Sequence, residues 1–461
     1  MMKLRTAVAA LAIVCSSLIA LGADTEKTFT DVANKVRGTV VGVMCTIKSE
    51  NGDMPLRGQA ICIDASGTFI SNALADFTLD PKSISDLMIL LPGPEGKTIK
   101  AKFLGSDAVY GLSYIQAEEK GNFTAVEFTD AKPAVGQQVV SVGIMGGDGN
   151  HSPYFGTAFV SAVLRVPGPL ALVTGGRLTN VCSPVFNTEG KCIGIVLRQL
   201  ALTYQSEAFR QPLPLRGQEE SLFFTPVEEF AKGLKKENIP NTVRRPPWLG
   251  IQNYSALSEE NAKLQKIDLP AIIIENVIAK QPAAEALLKD GDMITAINGK
   301  KLEKLANPDP NLTVQNFQRE LLQHNIGEVV TFTVISPNQP AHDVKVTIGE
   351  MPKTPAEALQ VSDQTLGLML RERVPLDEWL KKGIPATQEG LIVVAVGKDK
   401  PADIAGVKMD ELITRVNDKP VKNRADYKAV IEEATKAKQP IKLTIMRENQ
   451  PVQVAVPLQY K

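Results

Sequence analysis

A chain of 461 residues with 44% apolar and 22% charged side chains has room for two to four globular units. Lys+Arg and Asp+Glu stand at 51 each, so no net basic field exists to draw nucleic acid or an acidic membrane, and neither is expected as a partner. The three histidines and five cysteines show no close Cys/His spacing, so neither zinc nor any other cofactor is expected.

The chain opens with a positive start at Met1 to Arg5 and a short apolar run from Thr6 to Leu21. Small residues follow at Ala20, Gly22 and Ala23, which reads as a secretory signal over 1–23 cut near Ala23. The run is shorter than the ~18–20 apolar residues a membrane span needs, so export to the periplasm or another extracytoplasmic place is expected over anchoring. Cys15 follows Val14 inside the run and makes a poor lipid-attachment site. No later segment is long and apolar enough to span a bilayer.

Residues 24–236 carry short strand-like runs, among them Thr39 to Ile47, Gln59 to Ile63, Gln138 to Gly143, Thr157 to Val166 and Lys191 to Leu197. Turns at Asp64 to Gly67 and Asn187 to Gly190 separate some of them, and the spacing predicts an all-β barrel or sandwich. Val227 to Lys236 reads as a closing amphipathic helix with Thr225-Pro226 as its cap and first residue. Export would leave Cys45, Cys62, Cys182 and Cys192. A Cys45–Cys62 disulfide between neighbouring strands and four buried thiols are both open readings.

Polar, proline-bearing stretches at 238–247 and 350–362 read as linkers. After each comes a version of one block: Pro282 to Gly299 repeats as Pro401 to Asp418 at a constant offset of 119 residues. Ile294, Thr295 and Asn298 thus fall on Ile413, Thr414 and Asn417. Two such copies are tandem domains, since a solenoid needs more and shorter repeats.

Each copy also has an upstream apolar-Gly-apolar segment, Leu249-Gly250-Ile251 and Leu366-Gly367-Leu368. With that segment and the helix-turn-strand block, both copies resemble PDZ domains, placed at 246–352 and 363–459. The resemblance implies a groove where an extended peptide adds as a strand, its terminal carboxylate held by backbone N–H groups of the Gly-centred loop. The expected ligand is the C-terminus or an extended segment of another exported or unfolded polypeptide. A glycine there keeps a side chain out of that approach. Val314 to Leu321 and Asp426 to Ile431 have the apolar spacing of a groove-wall helix or of a core face, and Asn423 is placed to cap the second. Trp248 reads as a packing residue.

Blocks at Gly58 to Leu74, Gly105 to Ile115, Gln137 to Gly143, Gly156 to Ala162 and Asn180 to Ile195 resemble, in order and spacing, the trypsin-like domain of the HtrA (Deg) serine proteases. The fold expected from the resemblance is multidomain and mainly β: a trypsin-like double β-barrel over 24–236 and then two PDZ domains of α+β type. In that family the blocks carry a His, an Asp and a Ser. Here those positions hold Leu74, Gly111 and Val181, none of which can serve as base, orienting carboxylate or nucleophile. The first histidine of the chain is His151, which reads as an exposed loop residue, and Asp76 and Asp107 read as turn or surface carboxylates. Thr179-Asn180-Val181 lacks a glycine for the oxyanion turn, so a site plugged by apolar side chains is expected.

These residues predict a chain that is not an enzyme and has no catalytic residue, a scaffold, adaptor or chaperone working through its PDZ loops. The alternative is a serine endopeptidase of protein quality control with a displaced site, built on Ser183 or Cys182 with His151. The family commonly assembles as trimers or larger, and no residue here reveals it.

Overall fold

The structure, a computed structural model, describes residues 27–457 apart from 50–51, 77, 94–95, 147–150, 166, 198–202, 206–211, 215–221, 306–308, 381–387 and 448–449; the signal segment 1–23 lies outside the described residues. A helix across 27–36 (α1) leads into β1 (Val40–Ile47), β2 (Met54–Asp64), β3 (Thr68–Ser71), β4 (Ile84–Leu90), β5 (Thr98–Asp107) and β6 (Leu112–Ala117). β4, β1, β2, β3, β6 and β5 pair in that order, and β5 returns to β4, closing a barrel. Alternate residues of β1 (Val41, Val43, Cys45, Ile47) pack inside it with Phe69, Ile89 and Ile115, as a strand period of two requires.

The second barrel is built from β7 (Gln138–Ile144), β8 (Pro153–Arg165), β9 (Pro169–Thr174), β10 (Ser183–Phe186), β11 (Cys192–Val196) and, after a ribbon of β12 (Thr203–Gln205) and β13 (Pro212–Pro214), β14 (Phe223–Pro226). It closes in the order β10, β11, β14, β9, β8, β7. Val40, Ile61 and Ile70 of the first barrel share one apolar cluster with Val140, Val142, Phe186 and Ile195 of the second. Each such side chain contributes about 1.5–3 kcal/mol when taken fully from water, so the barrels form one body. The expected turns form with Gly67 at φ 93° and Gly190 at φ 75°.

The predicted closing helix is not α-helical, and Thr225 and Pro226 belong to β14. The chain runs instead as 3-10 turns over Val227–Glu229, Ala231–Leu234 and Lys236–Asn238. Gly233 is pinned there: its carbonyl accepts from the Tyr114 hydroxyl at 2.9 Å, and a Cβ would stand 2.7 Å from the Tyr110 ring. The tighter turn keeps this contact while Phe230 stays fully buried. The first linker is likewise not free. Its β15 (Val243–Arg244) pairs in parallel with β5, and Gly105 lets it pass, since a Cβ there would lie 2.3 Å from the Thr242 carbonyl oxygen.

The first PDZ copy comprises β16 (Pro247–Trp248), β17 (Ile251–Ala256), α2 (Glu259–Gln265), β18 (Ile272–Val277), α3 (Pro282–Glu285), β19 (Met293–Ile297), β20 (Lys300–Lys301), α4 (Pro310–Leu322), β21 (Val329–Ile335), β22 (His342–Thr347) and β23 (Gly349–Glu350). Its sheet runs β17, β18, β19, β21, β22, so β17 is an edge. Trp248 lies in β16 paired with β23, away from β17. The second copy comprises β24 (Gln360–Asp363), β25 (Leu368–Glu372), α5 (Asp377–Leu380), β26 (Leu391–Val396), α6 (Pro401–Ile404), β27 (Leu412–Val416), β28 (Lys419–Pro420), α7 (Arg424–Lys436), β29 (Ile441–Arg447) and β30 (Gln450–Val456). Its sheet runs β24, β25, β26, β27, β29, β30.

The repeat survives in atomic detail. Asn298 and Asn417 sit at φ 49° and 48°, and their side chains accept from Thr331 N–H at 2.9 Å and Lys442 N–H at 2.8 Å. Asn423 caps α7 by accepting from Asp426 N–H at 3.0 Å. Cys45, Cys62, Cys182 and Cys192 are all buried free thiols, which decides between the two readings of the cysteines.

Candidate functional site

Where the barrels meet, the ends of β2, β3, β7 and the turn before β10 surround an open cleft of about 630 Å³. Arg57, Gln59, Asn72, His151, Asn180 and Val181 are among its walls. Gln59 holds the cleft together. Its Nε2 donates to Ser183 Oγ at 2.8 Å and to the Val181 carbonyl at 3.0 Å, while its Oε1 accepts from Ile144 N–H at 3.0 Å. One side chain of the first barrel thus ties two segments of the second, and its buried amide is satisfied. Sequence reasoning passed over it; a glutamine inside an apolar strand run, after Gly58, was the available signal.

The turn before β10 is braced from behind. Thr179 N–H donates to Ser141 Oγ at 2.9 Å and Asn180 N–H to Tyr154 Oη at 3.1 Å. Its bend falls at Cys182, which adopts φ 66° although it carries a side chain, a conformation costing about 1–3 kcal/mol. Cys182 N–H donates to the Val196 carbonyl at 2.6 Å and holds it there. Burial pushes the Cys182 thiol up to about 12, so no thiolate is available near neutrality. Ser183 Oγ, fully buried, donates to Asn180 Oδ1 at 3.2 Å beside its bond from Gln59.

Three expectations change. The site is not plugged: polar Gln59, Asn72 and Asn180 keep the cleft open beside Val181. His151 is not an exposed loop residue; the β7–β8 connection carries it back to the cleft, half-buried against Gly42, where a Cβ would stand 3.3 Å from its Nδ1. Asp107 is not at the surface: fully buried, it accepts from Arg244 at 3.1 Å and Val109 N–H at 2.8 Å. Asp76 is a turn carboxylate, accepting from Thr78 N–H at 2.8 Å. Leu74 lies fully buried in the first-barrel core, and Gly111, exposed at φ 63°, ends the half-buried β5–β6 connection, so of the three positions only Val181 lines the cleft.

The Gly-centred loops precede β17 and β25. Gly250 has φ 80° and Gly367 φ 73°, and a Cβ would come within 2.1 Å of Gln281 Cβ or 2.3 Å of Lys400 Cβ. These glycines are therefore demanded by the chain's own packing, in addition to any approaching ligand. Leu249, Ile251, Leu366 and Leu368 are buried anchors on either side.

Residues 58–195 match the trypsin-like peptidase domain family, and residues 247–348 and 360–458 match the PDZ domain family. A relative from Bartonella henselae, named a probable periplasmic serine endoprotease DegP-like, is 25% identical over 386 residues, covering 79% of this chain and 68% of its own. The chain therefore carries a trypsin-like peptidase domain followed by two PDZ domains and is similar to DegP-like serine endoproteases. The periplasmic serine endoprotease DegP of Salmonella typhimurium is 23% identical over 390 residues, covering 81% of this chain and 71% of its own. A solved HtrA-type protease, AlgW with decapeptide, has a TM-score of 0.51 at 16% identity, over 71% of this chain and 99% of that one, and shares the fold.

The relatives are named periplasmic, in agreement with the extracytoplasmic location read from the N-terminus. No helix among the described residues is long and apolar enough to cross a membrane. The expectation that the chain is not an enzyme is corrected by these relatives, which are named serine endoproteases. That expectation weighed residue types at three positions of a linear order; it overlooked the open cleft and the imidazole that the fold returns to it. The PDZ domains mark the chain as peptide-binding.

Proposed function

We propose that this HtrA-like chain is an endopeptidase of extracytoplasmic protein quality control whose cutting groups are displaced from the usual positions. Its PDZ loops would hold substrates by C-termini or extended segments, and the interbarrel cleft would receive the chain to be cut. Leu74, Gly111 and Val181 take no part in bond making in this reading. The observation that carries it is an imidazole, His151, in the wall of the cleft whose other residues, Gln59 and Asn180, hold the Ser183 hydroxyl. The names of the relatives support it.

For attack, Ser183 Oγ must exchange its bond to Asn180 for one to the imidazole. His151 then takes the hydroxyl proton as Oγ adds to the peptide carbonyl and returns it to the leaving amine; water releases the acyl group by the reverse sequence. The exchange would require the Thr179–Val181 turn to move away from its bonds to Ser141 and Tyr154. Burial pushes the Cys182 thiol up and disfavours its thiolate, which is why this reading gives the attack to Ser183.

Cleavage of unfolded casein, with a fluorophosphonate label on Ser183, tests the reading. Ser183→Ala and His151→Gln should each abolish cleavage, while Cys182→Ala should leave it. A wild-type protein that binds casein yet releases no fragments overturns the cutting part. For the binding part, the Leu249-Gly250-Ile251 loop supplies N–H groups to a substrate, while in the Leu366-Gly367-Leu368 loop those of Leu366 and Gly367 are bonded to Asp363. That AlgW was solved with a decapeptide supports a peptide as ligand here.

A further inference from the structure

The two PDZ copies carry the same loop but differ in what lies on the strand after it. β17, the strand that a peptide would extend, is the edge of its sheet. β25, its counterpart, already has a partner: β24 runs antiparallel to it, with Gln360, Val361, Ser362 and Asp363 opposite Arg371, Leu370, Met369 and Leu368. The C-terminal end of β24 thus meets the Gly-centred loop, the orientation required of a peptide whose carboxylate is held there.

Asp363 completes the likeness. Its Oδ1 accepts from Thr365 N–H and Leu366 N–H, both at 2.9 Å, and its carbonyl accepts from Gly367 N–H at 2.9 Å. Its Oδ2 accepts from the Tyr427 hydroxyl of α7 at 2.7 Å, so the carboxylate bridges the loop to the helix that walls the groove. Two residues earlier, Val361 is 3% exposed and belongs to the apolar cluster that contains Val430 and Ala434 of α7. A side-chain carboxylate on loop amides, an apolar residue two places before it and a full set of antiparallel pairs are the three contacts of a bound peptide.

We infer that residues 360–363 are a built-in ligand of the second PDZ copy, with Asp363 in the place of a terminal carboxylate, so that external peptides enter through the first copy. The inference rests on the reading of these loops as peptide sites. An external C-terminus reaches β25 only by displacing β24, which is covalently tethered and therefore at high effective concentration.

The test uses the full chain and a decapeptide ending in a free apolar carboxylate, with its C-terminal amide as control. Calorimetry should count one peptide per wild-type chain, and hydrogen exchange should show new protection at Ile251–Ala256 with none at Leu368–Glu372. Asp363→Ala combined with Val361→Ser should release β24 and raise the count to two. Ser362→Cys with Met369→Cys, oxidised, should clamp β24 and hold the count at one; added to the releasing pair, it should return the count from two to one. Two peptides on the wild type, or protection gained at β25 while β24 stays paired, overturn the inference. If no peptide protects β17 either, the peptide-site reading fails, while exchange at Gln360–Asp363 still reports whether β24 is seated.

Discussion

The two PDZ copies are one sequence pattern put to two uses. Both place a glycine at positive φ against the side chain that precedes a short helix, Gln281 before α3 and Lys400 before α6, and both close a tight turn with an asparagine near φ 48°. They part at two points. The edge after the first loop has no strand partner among the described residues, Gln252 of β17 donating from its side chain to the Trp379 carbonyl of the second copy at 2.9 Å, whereas the edge after the second is paired with β24. Four residues beyond the loop glycine the first copy has Tyr254, tilted on Phe317 at 5.4 Å, where the second has Arg371 paired with Asp377. A repeated motif therefore specifies the turn it encodes, while the availability of the groove is set by residues that precede it.

The largest effect that would sharpen this contrast lies in that ion pair. Arg371 donates to both oxygens of Asp377, at 2.7 and 2.5 Å, and both side chains are buried. Asp377→Ala leaves a buried guanidinium without its counter-charge and should cost the second copy about 3–5 kcal/mol. Urea unfolding followed by exchange should show this loss at β25 and β26 while β17 and β18 keep wild-type protection. Equal losses in both copies would break the contrast.

The loop glycines come next, and here the copies should agree. Gly250→Ala and Gly367→Ala each add a Cβ at positive φ into a neighbouring Cβ, and each should cost about 2–4 kcal/mol. Thermal melts of the two variants should fall within error of one another. A loss confined to one copy would mean that the shared loop is not shared in function.

What was legible in advance follows the same division. The glycines at 67, 190, 250 and 367, the repeated asparagines and the strand runs speak through local conformation, and each stands where its turn requires it. Non-local facts were silent. His151 follows the first barrel in sequence, so nothing local tells that β7 and β8 return it to the cleft. Gln360 to Ser362 reads as the end of a linker because its pairing partners lie beyond the turn that follows. Asp107 reads as a surface carboxylate because Arg244 is 137 residues away in sequence. Val227 to Lys236 keeps a helical apolar spacing, but the Tyr114 hydroxyl and the glycine it binds select the tighter turn.

A smaller effect separates the groove-wall helices. Tyr427→Phe removes one hydrogen bond to a carboxylate and should cost the second copy about 1.5–3 kcal/mol. Burial and the neighbouring Asp363 charge hold this phenol protonated well above its usual range, so its absorbance should not titrate below the alkaline unfolding of the protein. Early titration of Tyr427 would mean that Asp363 is not seated in the loop.

The smallest effect concerns how each copy is tethered. The first linker is held by Arg244 on Asp107 of the barrel, the second by Arg245, which grips both oxygens of Glu357, one of them at 3.0 Å. Burial alone would raise the Glu357 carboxyl; the bonds from Arg245 and Thr354 outweigh it and leave the carboxyl below its ordinary range. A carboxyl that binds its proton less readily when folded adds stability that is complete above its unfolded value, about 4.3 for glutamate. That stability is lost as pH falls through the lower folded value. Wild type and Glu357→Gln should therefore differ in urea midpoint at pH 6, and the difference should shrink on acidification below pH of about 4. Exchange at Thr354–Ala358 should report the same loosening. Because β24 begins three residues later, the release of the second linker in acid is also the mildest way to free its built-in ligand, and uptake of a second peptide there would link tether and groove.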